Sequence, residues 1–192
     1  MYLIKKAHSD ILEEKKSKFI SHLIFYKDFE ESLKSLKLLH PKARHFVFAY
    51  RFLNKKEQIV EGFTDDGEPK NTSGKPTLSV LQGKNLINIA VITVRYFGGT
   101  KLGTGGLVRA YSDSCNMTIY DENLYLYQKL ETFSFKTLYT YLSKVEYHLK
   151  EMEIKVKSKD FDATHCTFIF ECTNEDWLNF QSVSDRMIEV LR

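Results

Sequence analysis

The 192-residue chain is 43% hydrophobic and 14% aromatic, enough apolar material for a substantial core, and its length lies at the border between one large domain and two small ones. No run approaches the roughly 18 apolar residues of a membrane span, and MYLIKKAHSD has neither the apolar stretch nor the cleavage site of an export signal, so a cytoplasmic chain without a membrane partner is expected. Formal net charge is only +3, and three cysteines (Cys115, Cys166, Cys172) without CxxC spacing argue against a disulfide framework or a cysteine-rich zinc site, leaving reduced, partly buried thiols.

Taken in chain order, KFISHLIFY (18–26) reads as a strand, and DFEESLKSLKLLHP as a helix with Asp28 and Glu31 at capping-box spacing and Phe29, Leu33 and Leu36 on one face. HFVFAYRF (45–52) and EQIVEGF (57–63) form two strands around Asn54-Lys55-Lys56. A polar loop, TDDGEPKNTSGKP, leads to a short helix near Pro76. NIAVITVRYF (88–97) is a β-branched apolar run suited to a strand covered on both faces, and LVRAYSDSCNMTIY follows the glycines as a helix.

Near residue 123 the pattern restarts. LYLYQKLETFSF supplies a strand; Leu138, Leu142, Val145, Leu149 and Met152 have helical spacing. EIKVKSK and THCTFIFEC pair around Lys159-Asp160, with Cys166, Phe168, Phe170 and Cys172 on one face. NEDWLNFQSVSDRMIEVLR closes as a helix with Trp177, Phe180, Val183, Met187 and Val190 inward. The expected fold class is α+β: an N-terminal α/β domain over 1–123 and a ferredoxin-like β-α-β-β-α domain over 124–192.

Charge divides unevenly. Residues 1–127 hold 19 Lys+Arg against 14 Asp+Glu (net +5), and residues 128–192 hold 9 against 11 (net −2), so the first part is the expected contact for an anionic partner. Its chemistry centres on RYFGGTKLGTGGLVRAY (95–111). Gly98 and Gly103 have P-loop separation, but Thr104-Gly105 follow in place of Lys-Ser or Lys-Thr, so no residue serves the terminal phosphates and magnesium. Val108 stands where a dinucleotide fingerprint needs a third small residue. Two readings remain: a crowded turn in which glycine serves only packing, or an anion-receptive turn in which Gly98, Gly99, Gly103, Gly105 and Gly106 expose backbone at a helix N-terminus beside Arg95, Lys101 and Arg109. Arg51 and Lys75 would complete the basic surface. Tyr50, Tyr96 and Phe97, interleaved with Arg51 and Arg95, suit either stacking on single-stranded bases or core packing. Asp65, Asp66 and Glu68 form either an oxygen site for a hard cation such as magnesium or an Asx-type turn contacting Lys75 or Arg51. His40 and His45 lack a metal-ligand or nucleophile partner in sequence.

TDDGEPKNTSGKPTLSVL followed by NIAVITVRYFGGTKLGTGGLVRAYSDS resembles the signature of the YigZ/IMPACT family, and KSKFISHL and HPKARHFVFAYR resemble its earlier blocks, over about residues 1–125. The resemblance implies an N-terminal domain like the second domain of a small-subunit ribosomal protein and domain IV of elongation factor G, with a C-terminal domain like that factor's domain V. Both point to RNA or the ribosome. Eukaryotic members act in translational control through a partner of a stress-responsive kinase and carry an extra N-terminal RWD domain that this sequence does not match. Phe46-Val47 stand where family members often have Asn-Cys after the histidine, and Asn71 and Ser73 stand where Gly and Ala are usual. The expected function is a non-enzymatic regulator, without cofactor, binding RNA, the ribosome or a translation-related protein. The alternatives are a metal-assisted enzyme on a phosphorylated small molecule and a protein-interaction module.

Overall fold

The computed structural model describes residues 1–191, which form two compact units, Met1–Tyr127 and the segment from Gln128 onward. In the first unit five strands form one antiparallel sheet: β2 (His8–Glu14), β3 (Ser17–Phe25), β4 (His45–Leu53), β5 (Ile59–Thr64) and β6 (Ile89–Tyr96), in the order β2-β3-β6-β4-β5. The apolar run takes the central place, and Ile89 to Arg95 are all buried, as expected for a strand covered on both faces. Helix α1 (Phe29–Leu39) lies on one side, where Leu36 packs with Phe46, Ile92 and Val94. Helices α2 (Gly74–Gly83) and α3 (Gly103–Met117) cover the other, where Leu78, Leu81 and Cys115 meet Leu23, Ala49 and Val91, and Leu107, Ala110 and Tyr111 meet Phe19 and Val47. Two short strands, β1 (Tyr2–Ile4) and β7 (Leu124–Leu126), pair antiparallel within this unit.

The alternation of β6 assigns its polar groups. Thr93 faces α3, where the Ser21 hydroxyl lies 2.7 Å from both Thr93 and Ser114 hydroxyls, a fully enclosed polar cluster whose members satisfy one another. Arg95 shares that side; Tyr96 shares the α1 side, 2.9 Å from His40 Nδ1. Asp28 forms no capping bond, contrary to expectation. A 3-10 turn at Tyr26–Asp28 holds its backbone at φ −98°, ψ 3°, away from the extended conformation from which a side chain reaches the first free amides. Helix α3 begins four residues earlier than expected, because Gly103, at φ +73°, turns the chain and Thr104-Gly105-Gly106 then enter the helix themselves.

The second unit contains β8 (Glu131–Leu138), α4 (Leu142–Glu151), β9 (Val156–Phe161), β10 (His165–Cys172), α5 (Asn174–Ser184) and β11 (Glu189–Val190). Its sheet order, β11-β8-β10-β9, is that of a ferredoxin-like fold completed by a fourth strand. The expected segment LYLYQKLETFSF therefore divides between β7 and β8. Cys166, Phe168, Phe170 and Cys172 are all buried against Phe135, Val145, Leu149, Trp177 and Phe180. The three cysteines are free and buried, and burial pushes the Cys115 thiol up to about 12.

Two expectations are corrected. Lys159 and Asp160 lie within β9; the turn falls at 162–164, where Asp162 Oδ1 accepts from the Thr164 and His165 amides. Helix α5 ends at Ser184, so Val190 pairs opposite Phe135 in β11 and is exposed, as is Val183, while Met187 packs on the core. Arg192, the end of the expected helix, lies outside the described residues.

Candidate functional site

The acidic loop is a clasp built from three diverging carboxylates. Asp65 Oδ1 accepts from the Ser73 amide and hydroxyl and the Gly74 amide, and Oδ2 accepts from the Asn71 amide, so this carboxylate fills the N-terminus of α2. Partial burial opposes its ionisation, but these hydrogen bonds outweigh burial and hold its carboxyl below the usual range. Asp66 Oδ2 accepts from the Phe46 amide at 2.6 Å, while His45 Nδ1 lies 2.8 Å from the Asp66 carbonyl. Asn71 has φ +62°, a left-handed conformation that asparagine tolerates. Ser73 adds the hydroxyl bond to Asp65.

Glu68 points inward. Its Oε1 accepts from Arg95 at 2.5 Å and from the Tyr111 hydroxyl at 2.8 Å, with both members of the ion pair at most 6% exposed. Burial and the adjacent carboxylate push the Tyr111 phenol far above its ordinary value. The guanidinium also stacks over Phe19, 5.3 Å from its centroid, and lies 5.8 Å from Phe97. This junction joins the acidic loop, the central strand and α3. Among the described residues no group of three His, Cys, Asp or Glu side chains is arranged to hold a metal. Asp65, Asp66 and Glu68, the candidate metal set, each turn toward protein partners.

The basic residues do not assemble as one surface. Arg51 is buried; its guanidinium bonds Glu61 at 2.6 Å and the Leu86 carbonyl at 2.9 Å, tying β4 to β5 and to the segment that follows α2. Tyr96 faces His40 on the opposite side of the sheet from Arg95. Lys75 lines an open cleft between α2 and α3 with Asn71, Ser79, Val108 and Ser112. Arg109 is exposed on α3.

Arg95, Lys101 and Gly103 do meet, in a cleft of about 310 Å³ that Glu68, Phe97, Thr104 and Leu107 also line. Here the helix N-terminus is bare. No side chain caps α3, no acidic residue occupies its first turn, and Lys101, Gly103, Thr104 and Gly105 are exposed. The glycines differ in purpose. Gly98 is pressed against the Lys16 carbonyl and Ser17 amide, where any Cβ would collide, whereas Gly105 has open space around the place of a Cβ and no positive φ.

The close approach at Gly98 brings in residues that sequence reading missed. Lys15 and Lys16 form the two-residue turn between β2 and β3, at φ 47° and 65°, so this lysine pair sits beside the glycine loop. The turn lacks the Asn-Gly signature that would have announced it. Phe97, 51% exposed, offers a ring at the mouth of the cleft.

Removing Glu68 strands a buried guanidinium, so Glu68→Ala lowers unfolding free energy by about 3–5 kcal/mol, and Tyr111→Phe, which deletes one bond to a charged acceptor, by about 1.5–3 kcal/mol. Urea denaturation measures both; a Glu68→Ala loss under about 1 kcal/mol contradicts the junction's role. Asp65 has a depressed folded pKa, so its contribution is present above the unfolded value near 3.9 and disappears as pH falls through the folded value. Thermal melts of wild type and Asp65→Asn should therefore differ at neutral pH and converge below about pH 4; a gap independent of pH contradicts it.

Comparison with known proteins places this geometry. The Impact N-terminal domain model matches residues 15–119. The chain is 36% identical over 166 residues to an IMPACT family member of Haemophilus influenzae and 34% identical to IMPACT family member YigZ of Escherichia coli; each match covers 84% of this chain and 81% of the relative. A crystal structure described as that of an hypothetical protein aligns over 99% of this chain and 95% of its own, with TM-score 0.61 and 28% identity. The matched region contains both the acidic clasp and the glycine loop, and the shared identity runs through most of both chains: this protein belongs to the IMPACT family.

Proposed function

We propose that this protein is a cytoplasmic, non-enzymatic regulator of translation that binds RNA through the surface around its glycine loop. The observation that carries the reading is the contrast between two helix N-termini in the same unit. That of α2 is filled by Asp65, whereas that of α3 is uncapped, exposed and flanked by Lys101, with the Lys15–Lys16 turn against Gly98 of the preceding loop. Backbone N–H groups at such an end, with the positive pole of the helix and nearby lysines, favour a phosphate. Phe97 adds a ring on which an unpaired base can stack. Arg95 contributes position rather than free charge, since Glu68 neutralises it. Membership of the IMPACT family supports the link to translational control, through RNA itself or a component that presents it.

Gly105 supplies a test that separates fold from function. An alanine methyl has room there and stabilises a helix by roughly 0.5–1 kcal/mol relative to glycine. On the proposed reading, Gly105→Ala melts no lower than wild type yet binds a fluorescent single-stranded RNA more weakly, because the methyl intrudes on the phosphate. Lys15→Ala/Lys16→Ala/Lys101→Ala should weaken binding further and reduce the slope of log affinity against log salt by about 0.7 for each phosphate no longer neutralised. Salt-insensitive binding, or binding unchanged in both folded variants, overturns the reading.

A further inference from the structure

Strand β9 ends the second unit's sheet: it pairs with β10 and with no other strand among the described residues. Its register sets Lys159 opposite Phe168 and Phe161 opposite Cys166, on the side of the sheet where Phe168 and Cys166 are fully buried. Phe161 is nevertheless 57% exposed, and a groove of about 630 Å³ opens between Val156 and Lys159 of this strand and Glu146, Leu149 and Lys150 of α4. Leu149, Ile154, Val156 and Phe168 give the groove an apolar lining. Lys159 lies over it, its Nζ 5.2 Å from the Phe168 centroid and 2.5 Å from Glu146. Lys150 and Lys155, which line the groove with Glu153, make no ion pair among the described residues, so the groove keeps a small excess of positive charge.

The backbone of this edge is oriented for pairing. The Asp162 amide donates to the His165 carbonyl at 3.0 Å. Bonded and non-bonded pairs alternate along an antiparallel ladder, so the amides and carbonyls of Phe161 and Lys159 face away from β10.

We propose that β9 accepts an extended peptide of a partner protein as a fifth strand, with apolar side chains directed into the groove and acidic ones onto its lysine rim. A second copy of this chain fits poorly. Two-fold antiparallel pairing of β9 with itself centred on Ser158 sets Lys157 against Lys159; centred on Lys159 or Asp160, it sets that residue against its own copy. Each register places like charges directly opposite one another, which destabilises the pair. The complementary strand therefore belongs to a different chain and carries carboxylates that meet Lys150 and Lys155, since Lys157 and Lys159 of β9 already pair with Glu171 and Glu146.

The test is selection of a random-peptide display library on the full chain, followed by titration of an enriched, labelled peptide. The expected peptides alternate apolar residues with Asp or Glu, and binding slows hydrogen exchange at the outward amides of Lys159 and Phe161. Lys159→Pro, which deletes an outward donor while leaving the β10 ladder intact, should weaken binding about tenfold, the equivalent of about 1.4 kcal/mol. Lys150→Glu/Lys155→Glu, on exposed positions that leave the fold unchanged, should weaken it comparably and covers the case in which the proline variant misfolds. Enriched peptides without acidic bias, exchange protection confined to other segments, or affinity unaffected by the charge reversal overturns the proposal. So does concentration-dependent dimerisation, seen by sedimentation velocity, that Lys159→Pro abolishes.

Discussion

The buried ion pair between Glu68 and Arg95, with the Tyr111 hydroxyl as a second donor, is the constraint from which the candidate site follows. Taking two charges out of water is costly, and the cost is offset only when the groups meet closely and their remaining bonding capacity is used. Here one carboxylate oxygen receives both donors and Phe19 lies against the guanidinium, while Arg95 Nε is buried without a hydrogen-bond partner among the described residues. Because the three residues come from a loop, a strand end and the middle of a helix, satisfying the charges fixes those elements together. The start of α3 is held in place as a result, with Gly99 and Gly103 exposed.

That division separates two kinds of polar residue within one family signature. The acidic loop looks inward: Asp65 fills the end of α2, Asp66 holds the start of β4, and Glu68 holds Arg95. The glycine loop is mixed. Gly98 is required by the backbone of the neighbouring hairpin, and Gly103 by its positive φ, whereas Gly105 has neither requirement. A glycine in a helix's first turn with open space around it costs stability without relieving a clash. On the proposed reading its presence is explained by a phosphate approaching from outside, toward the lysines at 15, 16 and 101.

Much of the fold was legible because its signals are local. The apolar run of β6, the alternation of β10 and the spacing of Leu142, Val145 and Leu149 in α4 are each determined by which side of the element is buried, whereas Leu138, read into the same helix, ends β8 and is exposed. What was missed depends on distance. Glu68 is 27 residues from Arg95 and 43 from Tyr111, so its carboxylate resembled a surface acid or a cation ligand. Arg51 resembled a surface base because the carbonyls that consume it lie 30 and 35 residues ahead. Strand β2 escaped notice because an edge strand reading HSDILEE carries little apolar signal, and with it the lysine turn that flanks the glycines. The early start of α3 was hidden by glycine's low helix propensity, which a positioned helix overrides.

The most direct measurement of whether the glycine loop is a phosphate surface is a backbone amide NMR titration of the full chain with a short single-stranded RNA. Saturable shifts at Gly99, Gly103 to Gly106 and the Lys15–Lys16 turn, with the amides of the Asp65–Gly74 clasp unmoved, are the predicted result. Shifts that leave the α3 N-terminus unaffected while appearing elsewhere in the first unit would contradict it and return the glycines to a purely architectural role.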